Sequence, residues 1–191
     1  MLFRSPDYYN NYYLGEVVGI GAELFDNIEV RRITENLERL HGIDFGYEHP
    51  MVHTEVGYDR ESKTVFIYKA NAVRRMSHID FAQSENLVDA DEVICDSANP
   101  DKIRDLIDIG VNATGAMKRW EHKGKAYSYE WLQTRFKIVI DEELKECIEQ
   151  FENAEYEKLK DGTVTSALPT LNDDYIDAVR YALNRIMREE L

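Results

Sequence analysis

The sequence predicts a mixed α/β sheet with helices on both faces. Three β-prone segments follow one another between 40 and 73. A short apolar run, EVICDSA, has the look of a strand buried inside a sheet. After Asp141, apolar residues recur at helical spacing.

The first forty residues are irregular. An aromatic-rich opening leads into LGEVVGIGAELFDNIEVRRI, whose β-prone pieces are broken by Gly15, Gly19 and Gly21. Residues 1–36 are therefore expected to be a lead-in arm with one or two short strands, and residues 37–191 the main domain. HGIDFG reads as a strand ending at a glycine. MVHTEVGYD and SKTVFIYKANAVRR follow, with a turn at Asp59–Ser62 between them. Three strands in a row imply an antiparallel meander. Ser77–Ala90 then has helical spacing through Ile79, Phe81, Ala82, Leu87 and Val88. EVICDSA follows, and Asn99-Pro100 opens a helix whose apolar face is Ile103, Leu106, Ile107 and Ile109.

Val111–Met117 reads as a weak strand, Lys118–Gly124 as a basic loop, Tyr129–Gln133 as a helical turn and RFKIVI as a strand. Asp141 is placed to cap a long helix carrying Leu144, Cys147, Ile148, Phe151 and Leu159. Asp161–Thr170 is a loop with room for a short strand at Thr163–Ala167. A last helix starts near Asn172 or Asp173 and presents Ile176, Val179, Leu183, Ile186 and Met187. Three strands, helix, strand, helix, strand, then helices is the order of a ribonuclease H-like core.

Composition narrows the function. At 191 residues with 43% hydrophobic and 31% charged residues, the chain fits one globular domain. No apolar run approaches the roughly 20 residues that span a bilayer. MLFRSPDYYNNYY lacks the basic-then-apolar pattern of a secretion signal, so a cytoplasmic location is expected. Cys95 and Cys147 have no CxxC or Cys/His spacing around them and are expected to be buried and reduced. The five histidines form no HxH or HxxxH pair, Ser97 lies in no Gly-x-Ser-x-Gly elbow, and no phosphate-binding G-x-x-x-x-G-K-[ST] loop is present. Zinc, serine-hydrolase and ATPase chemistry are therefore not expected of this chain.

A net charge of −14 argues against a nucleic-acid partner, since Lys and Arg neutralising phosphates supply most DNA affinity. The distribution softens that objection. Between Val111 and Ile140 there are six basic residues and two acidic ones. Lys118, Arg119, Lys123 and Lys125 make that stretch a candidate DNA contact; a solvated loop accounts for them equally well. Trp120 and Trp131 flank it, as core anchors or as DNA-positioning groups.

Three acids stand out by position. Asp44 lies within Ile43-Asp44-Phe45-Gly46, Asp96 ends Val93-Ile94-Cys95-Asp96, and Asp177 lies on the last helix. Aspartate is a poor strand former, and an unpaired buried carboxylate is costly. A divalent cation supplies the missing partner, and oxygen ligands suit Mg²⁺ or Mn²⁺. Spacing alone leaves other readings open: Asp44 facing solvent or paired with an arginine, Asp96 as a helix-entry residue, and Asp173, Asp174 and Asp177 as an acidic patch favoured by the helix dipole.

The segments LERLHGIDFGYEHPMV, VICDSANPDKIRDLIDIGVNA and NDDYIDAVRYAL together resemble the nuclease domain of phage terminase large subunits, each holding one acidic motif in that family's order. YYNNYYLGEVVGIGAELFDNIEV is similar to the family's link between ATPase and nuclease, so the resemblance covers nearly the whole chain. It implies a ribonuclease H-like, two-metal endonuclease that cuts concatemeric phage DNA in the host cytoplasm. It also implies double-stranded DNA, the terminase ATPase domain, the small terminase subunit and the portal as partners. By motif, Asp44, Asp96 and Asp177 carry over as catalytic metal ligands, with Asp44 able to bridge two ions. Asp174 stands where some members have a histidine, either as a further ligand or as a group tuning the site. The Lys118–Lys125 loop does not match the family pattern cleanly. A junction resolvase of the same fold and a non-catalytic docking module for DNA or packaging partners are the alternatives.

Overall fold

The computed structural model describes residues 22–117, 124–159, 161–168 and 173–190. Lys118, Arg119, Trp120 and Lys123 of the basic stretch, and the opening of the arm, lie outside the described residues.

Seven strands form one mixed sheet: β1 (Ile28–Val30), β2 (Leu40–Asp44), β3 (Met51–Asp59), β4 (Thr64–Val73), β5 (Val93–Cys95), β6 (Ala113–Gly115) and β7 (Lys137–Ile140). Their spatial order is β1-β7-β4-β3-β2-β5-β6. The β2–β3–β4 meander is antiparallel, and β5 and β6 add to β2 in parallel. On the other flank, β7 pairs parallel with both β4 and β1. This is the mixed sheet expected from the element order, and β1 extends it at one edge. Residues 22–30 of the sequence-assigned arm supply that edge strand together with buried Leu24 and Phe25.

The β3–β4 turn forms because Asp59 holds it. Asp59 Oδ1 accepts from the amides of Glu61 (2.9 Å) and Ser62 (3.4 Å), and Ser62 Oγ donates to Oδ2 (2.7 Å). Such side-chain-to-backbone bonds make Asp a turn former. Lys63 completes the reversal at positive φ.

Helices cover both faces. On one, Ile43, Val93 and Cys95 pack against α1 (His78–Ser84) and α2 (Pro100–Asp108) through Ala82 and Leu106. On the other lie α3 (Gly124–Gln133), α4 (Lys145–Glu152), α5 (Asp174–Ala182) and α6 (Asn184–Glu189). Here Val52, Val56, Val65, Ile67, Ile138 and Ile140 meet Tyr129, Leu132, Phe151, Ile176 and Val179 in the main core. Helix α5 lies across β2, β3, β4 and β5. Gly42 permits this: a Cβ there would stand 2.1 Å from the Ala178 carbonyl oxygen and 2.5 Å from the Ala182 nitrogen.

Several elements differ from the sequence expectation. The Ser77–Ala90 helix ends at Ser84 because Asn86 takes a left-handed conformation, and Leu87–Asp89 is a separate 3-10 turn. The helical turn at Tyr129–Gln133 starts earlier, at Gly124. The helix after Asp141 is short. Asp141 accepts from the amides of Ile33 (3.0 Å) and Glu143 (3.1 Å), so it ties the 31–35 segment to β7 and caps no long helix. Leu159 lies beyond that helix and is exposed. Thr163–Ala167 forms only a single bridge, Val164 to Lys158. Both cysteines are free and buried, and Trp131 is a core residue. Among the described residues, no helix is long and apolar enough to cross a membrane.

Candidate metal centre

Two parallel strands and one helix bring the three acids together. Asp44 is the last residue of β2 and Asp96 is the residue after β5, with Ile43 aligned to Cys95 and the Asp96 amide donating to the Ile43 carbonyl at 2.9 Å. The two carboxylates therefore leave adjacent strand ends. Side chains alternate along a strand, so Asp44 shares the face of Gly42, the face on which α5 rests. Asp177, in the first turn of α5, is carried to the same place. The N-terminus of α5 is fixed by Gln150, whose Oε1 accepts from the amides of Tyr175 (2.7 Å) and Ile176 (3.1 Å).

Burial and mutual repulsion dominate this cluster. Burial, followed by the charges of Asp177, Asp96, Asp174 and Asp173, pushes the Asp44 carboxyl up to about 8. Burial also raises Asp177, against the lowering influence of Arg180 and Lys125. Asp174 is raised by burial and lies near His49 and Arg74 as well as Asp173. Burial, followed by the charges of Asp177, Asp44 and Asp96, pushes the Tyr181 phenol far above its usual range. Asp177 Oδ1 is buried without a hydrogen bond. Its nearest cations are Lys125 Nζ at 3.4 Å and Arg180 Nη2 at 3.5 Å. Asp96 is held by its own loop, accepting from the Ala98 amide (3.0 Å) and Asn99 Nδ2 (3.2 Å).

The donor set fits Mg²⁺ or Mn²⁺. It consists of hard carboxylate oxygens, one of them an orphaned acceptor, whose charges are unfavourable to each other without a cation. Acids arriving from three directions suit a bound divalent cation.

A second cluster lies on the opposite face of the sheet. The β2–β3 register brings His41 and Glu55 opposite one another, with His53 two pairs along on the same face, although sequence spacing gave no hint of a histidine pair. His41, His53 and Glu55 have ligand atoms within 4.8 Å of one another. The geometry is that of a hydrogen-bonded relay. The imidazole rings are within 5° of parallel with centroids 5.4 Å apart, and His41 Nδ1 stands 3.1 Å from His53 Nε2. That centroid separation matches two rings meeting nitrogen to nitrogen, one N–H aimed at the other ring's lone pair. His53 Nδ1 is 2.7 Å from Glu85 Oε2, the donor side of the ring if Nε2 accepts from His41. Lys69 supplies the cation, 3.1 Å from Glu85 and 3.3 Å from Glu55. The Glu85 carboxyl is held down at about 2 by His53, Asn71 and Lys69 against the opposing effect of burial.

Of the sequence-predicted DNA contacts, Lys125 alone is described. Its ammonium bonds Asp173 and faces Asp177, and so adjoins the acids. Sequence reasoning missed Arg180 and Tyr181. The available signal was position: Arg180 follows Asp177 by three residues, one helical turn on.

No family model matches the chain. The terminase large subunit of Bacillus phage SPP1 is 28% identical over 201 residues, covering 97% of this chain and 47% of the relative. The chain thus spans about half the length of the curated relative it matches. The nuclease domain of the SPP1 large terminase, solved with bound Mn, superposes with a TM-score of 0.73 at 24% identity, over 85% of this chain and 98% of that one. The nuclease of the large terminase from thermophilic phage G20c, solved with bound magnesium, gives a TM-score of 0.58 at 16% identity, over 85% of this chain and 96% of that one. The chain is therefore similar to a terminase large subunit along nearly all of its own length, and its ribonuclease H-like fold is that of the large-terminase nuclease domain.

Proposed function

We propose that the chain is a divalent-metal-dependent DNA endonuclease that cuts concatemeric phage DNA during genome packaging. The observation that carries this reading is the meeting of Asp44, Asp96 and Asp177, from two strand ends and a helix, at one buried point. The relatives' bound Mn and magnesium support the choice of ion.

In this reading Asp44, Asp96 and Asp177 would together hold the divalent ions, with Asp44 able to serve both. Two bound Mg²⁺ or Mn²⁺ ions would supply a water activated at neutral pH and charge stabilisation at the leaving oxygen of an in-line attack on phosphate. The chain's own residues do the rest. The carboxylates give up their protons to bind, so occupancy rises with pH. Asp174, near His49 and Arg74, acts as a further ligand or tunes Asp44 through its charge. Lys125 and the basic residues Lys118, Arg119 and Lys123 offset the acidity of the rest of the chain and contact DNA. Double-stranded DNA is the substrate, and the terminase ATPase domain, small subunit and portal are the assembly partners.

Plasmid cleavage tests this. Supercoiled DNA incubated with the protein and Mn²⁺ or Mg²⁺ should be relaxed and linearised, and EDTA should stop it. Asp96→Asn and Asp177→Asn should each lower the rate by more than about a hundredfold, beyond the loss that outer-shell changes at metal sites cause. Equal cleavage by the variants would remove the acids from the mechanism. No cleavage with either ion would favour a docking module over an enzyme.

A further inference from the structure

A cavity of about 160 Å³ opens beside Asp177, lined by Met117, Lys125, Ser128, Arg180, Tyr181 and Asn184 among others. On the same measure that is roughly ten times the space one water requires. Two of the neutral polar lining groups are committed elsewhere. Ser128 Oγ donates to the Lys125 carbonyl at 2.8 Å. Asn184 clamps the Met117 backbone, accepting from its amide and donating to its carbonyl, both at 3.0 Å. The remaining strong donors are the two cations.

Arg180 is the unusual one. It is only 6% exposed, its guanidinium lies over the rings of Tyr129 (5.2 Å) and Tyr181 (5.5 Å), and its Nε–H has no acceptor. A buried guanidinium with an idle donor beside a polar cavity is costly unless an acceptor arrives there. Among the described residues its carboxylate neighbour is Asp177, at a loose 3.5 Å. Lys125 likewise leans on Asp173 and Asp177.

We propose that this cavity is a subsite for a backbone phosphate of DNA, held by Arg180 and Lys125. The inference rests on the endonuclease reading and names the residues that grip the strand next to the cut. Without a cation at the acids, Asp177 absorbs the charge of Arg180 and Lys125. Once the Asp177 carboxylate is engaged by a divalent ion, both side chains face the cavity with spare positive charge. An arginine fork and a flexible ammonium suit phosphate oxygens. Metal loading and strand binding are then coupled through Asp177. A larger cavity of about 350 Å³, between β5, β6 and α6, is lined by none of the three acids; its Arg185 is paired with Glu92 (3.8 Å) and Glu189 (3.4 Å), and its Arg188 is exposed.

The test is duplex binding by fluorescence anisotropy, with calcium in place of magnesium to hold hydrolysis back, across a salt series. Wild type, Lys125→Gln, Arg180→Lys and Arg180→Gln are compared, with thermal melts for folding and Mn²⁺ calorimetry for the acids. Lys125→Gln and Arg180→Gln should each weaken binding and reduce the slope of log affinity against log salt by about one. Arg180→Lys should keep most of that slope. Lys125 is partly exposed, so its variant folds even where Arg180→Gln does not. A wild-type slope in Lys125→Gln, and in Arg180→Gln where it folds, alongside weakened Mn²⁺ binding would overturn the subsite, leaving both cations as supports of Asp177. Slopes unchanged while the wild type still cuts plasmid would remove the subsite alone. A wild type that neither binds duplex nor cuts would remove the endonuclease reading with it.

Discussion

Asp44→Asn should stabilise the metal-free protein at neutral pH and abolish its stabilisation by Mn²⁺. In the unfolded chain this carboxyl ionises near 3.9. In the fold, burial and the surrounding acids push it up to about 8. The folded state therefore binds the extra proton, and stability falls as pH rises from about 4 towards 8. At pH 7 about three units of that window have been crossed, at about 1.4 kcal/mol each for a fully expressed shift. A loss on the order of 2–4 kcal/mol allows for relaxation of the site. Asparagine keeps the shape without the charge. In EDTA at pH 7 the variant should melt roughly 4–16 °C higher than wild type, with the difference vanishing near pH 4. With Mn²⁺ at about a hundred times its dissociation constant, wild type should gain about 2.7 kcal/mol and the variant little. Thermal melts at the two pH values, with and without Mn²⁺, decide it. A variant less stable than wild type in EDTA at pH 7, or equally stabilised by Mn²⁺, would mean that Asp44 is not a strained acid awaiting a cation.

The second large effect is expected at a residue with no chemistry of its own. Gly42→Ala places a methyl group 2.1 Å from the Ala178 carbonyl oxygen and 2.5 Å from the Ala182 nitrogen, both backbone atoms of α5. Backbone cannot rotate aside as a side chain does, so the helix must shift on the sheet. Overpacking of this kind costs about 3 kcal/mol or more, a fall in melting temperature of roughly 6–12 °C. Because α5 carries Asp177, the shift also opens the acid cluster. A misplacement of about 1 Å costs on the order of a hundredfold in rate. Melting curves and Mn²⁺-dependent cleavage rates should therefore fall together, even at temperatures where the variant remains folded. A variant with wild-type stability and rate would show that α5 does not rest on Gly42.

The meander, the order of later strands and the three acids were legible in the sequence because each has a local signature. β-prone runs separated by a turn mark β3 and β4, and Asp44 and Asp96 interrupt or end apolar runs where a carboxylate is out of place. What stayed hidden depends on register and on tertiary capture. His41 and His53 are far apart in sequence and meet only through the antiparallel pairing of β2 with β3. Asp141 looks like a helix cap, yet it is taken by the Ile33 amide, 108 residues away. Arg180 carries no signal of burial in the sequence, yet α5 is buried almost all round and carries it inside. The short helix after Asp141 was overextended because Leu159 happened to continue the apolar spacing.

The measurement that tests the central claim most directly is anomalous diffraction from crystals of this chain soaked in Mn²⁺. The account predicts anomalous density enclosed by the carboxylates of Asp44, Asp96 and Asp177, with Lys125 turned away from Asp177. Density at His41, His53 and Glu55 instead, or none near the three acids at saturating Mn²⁺, would contradict it.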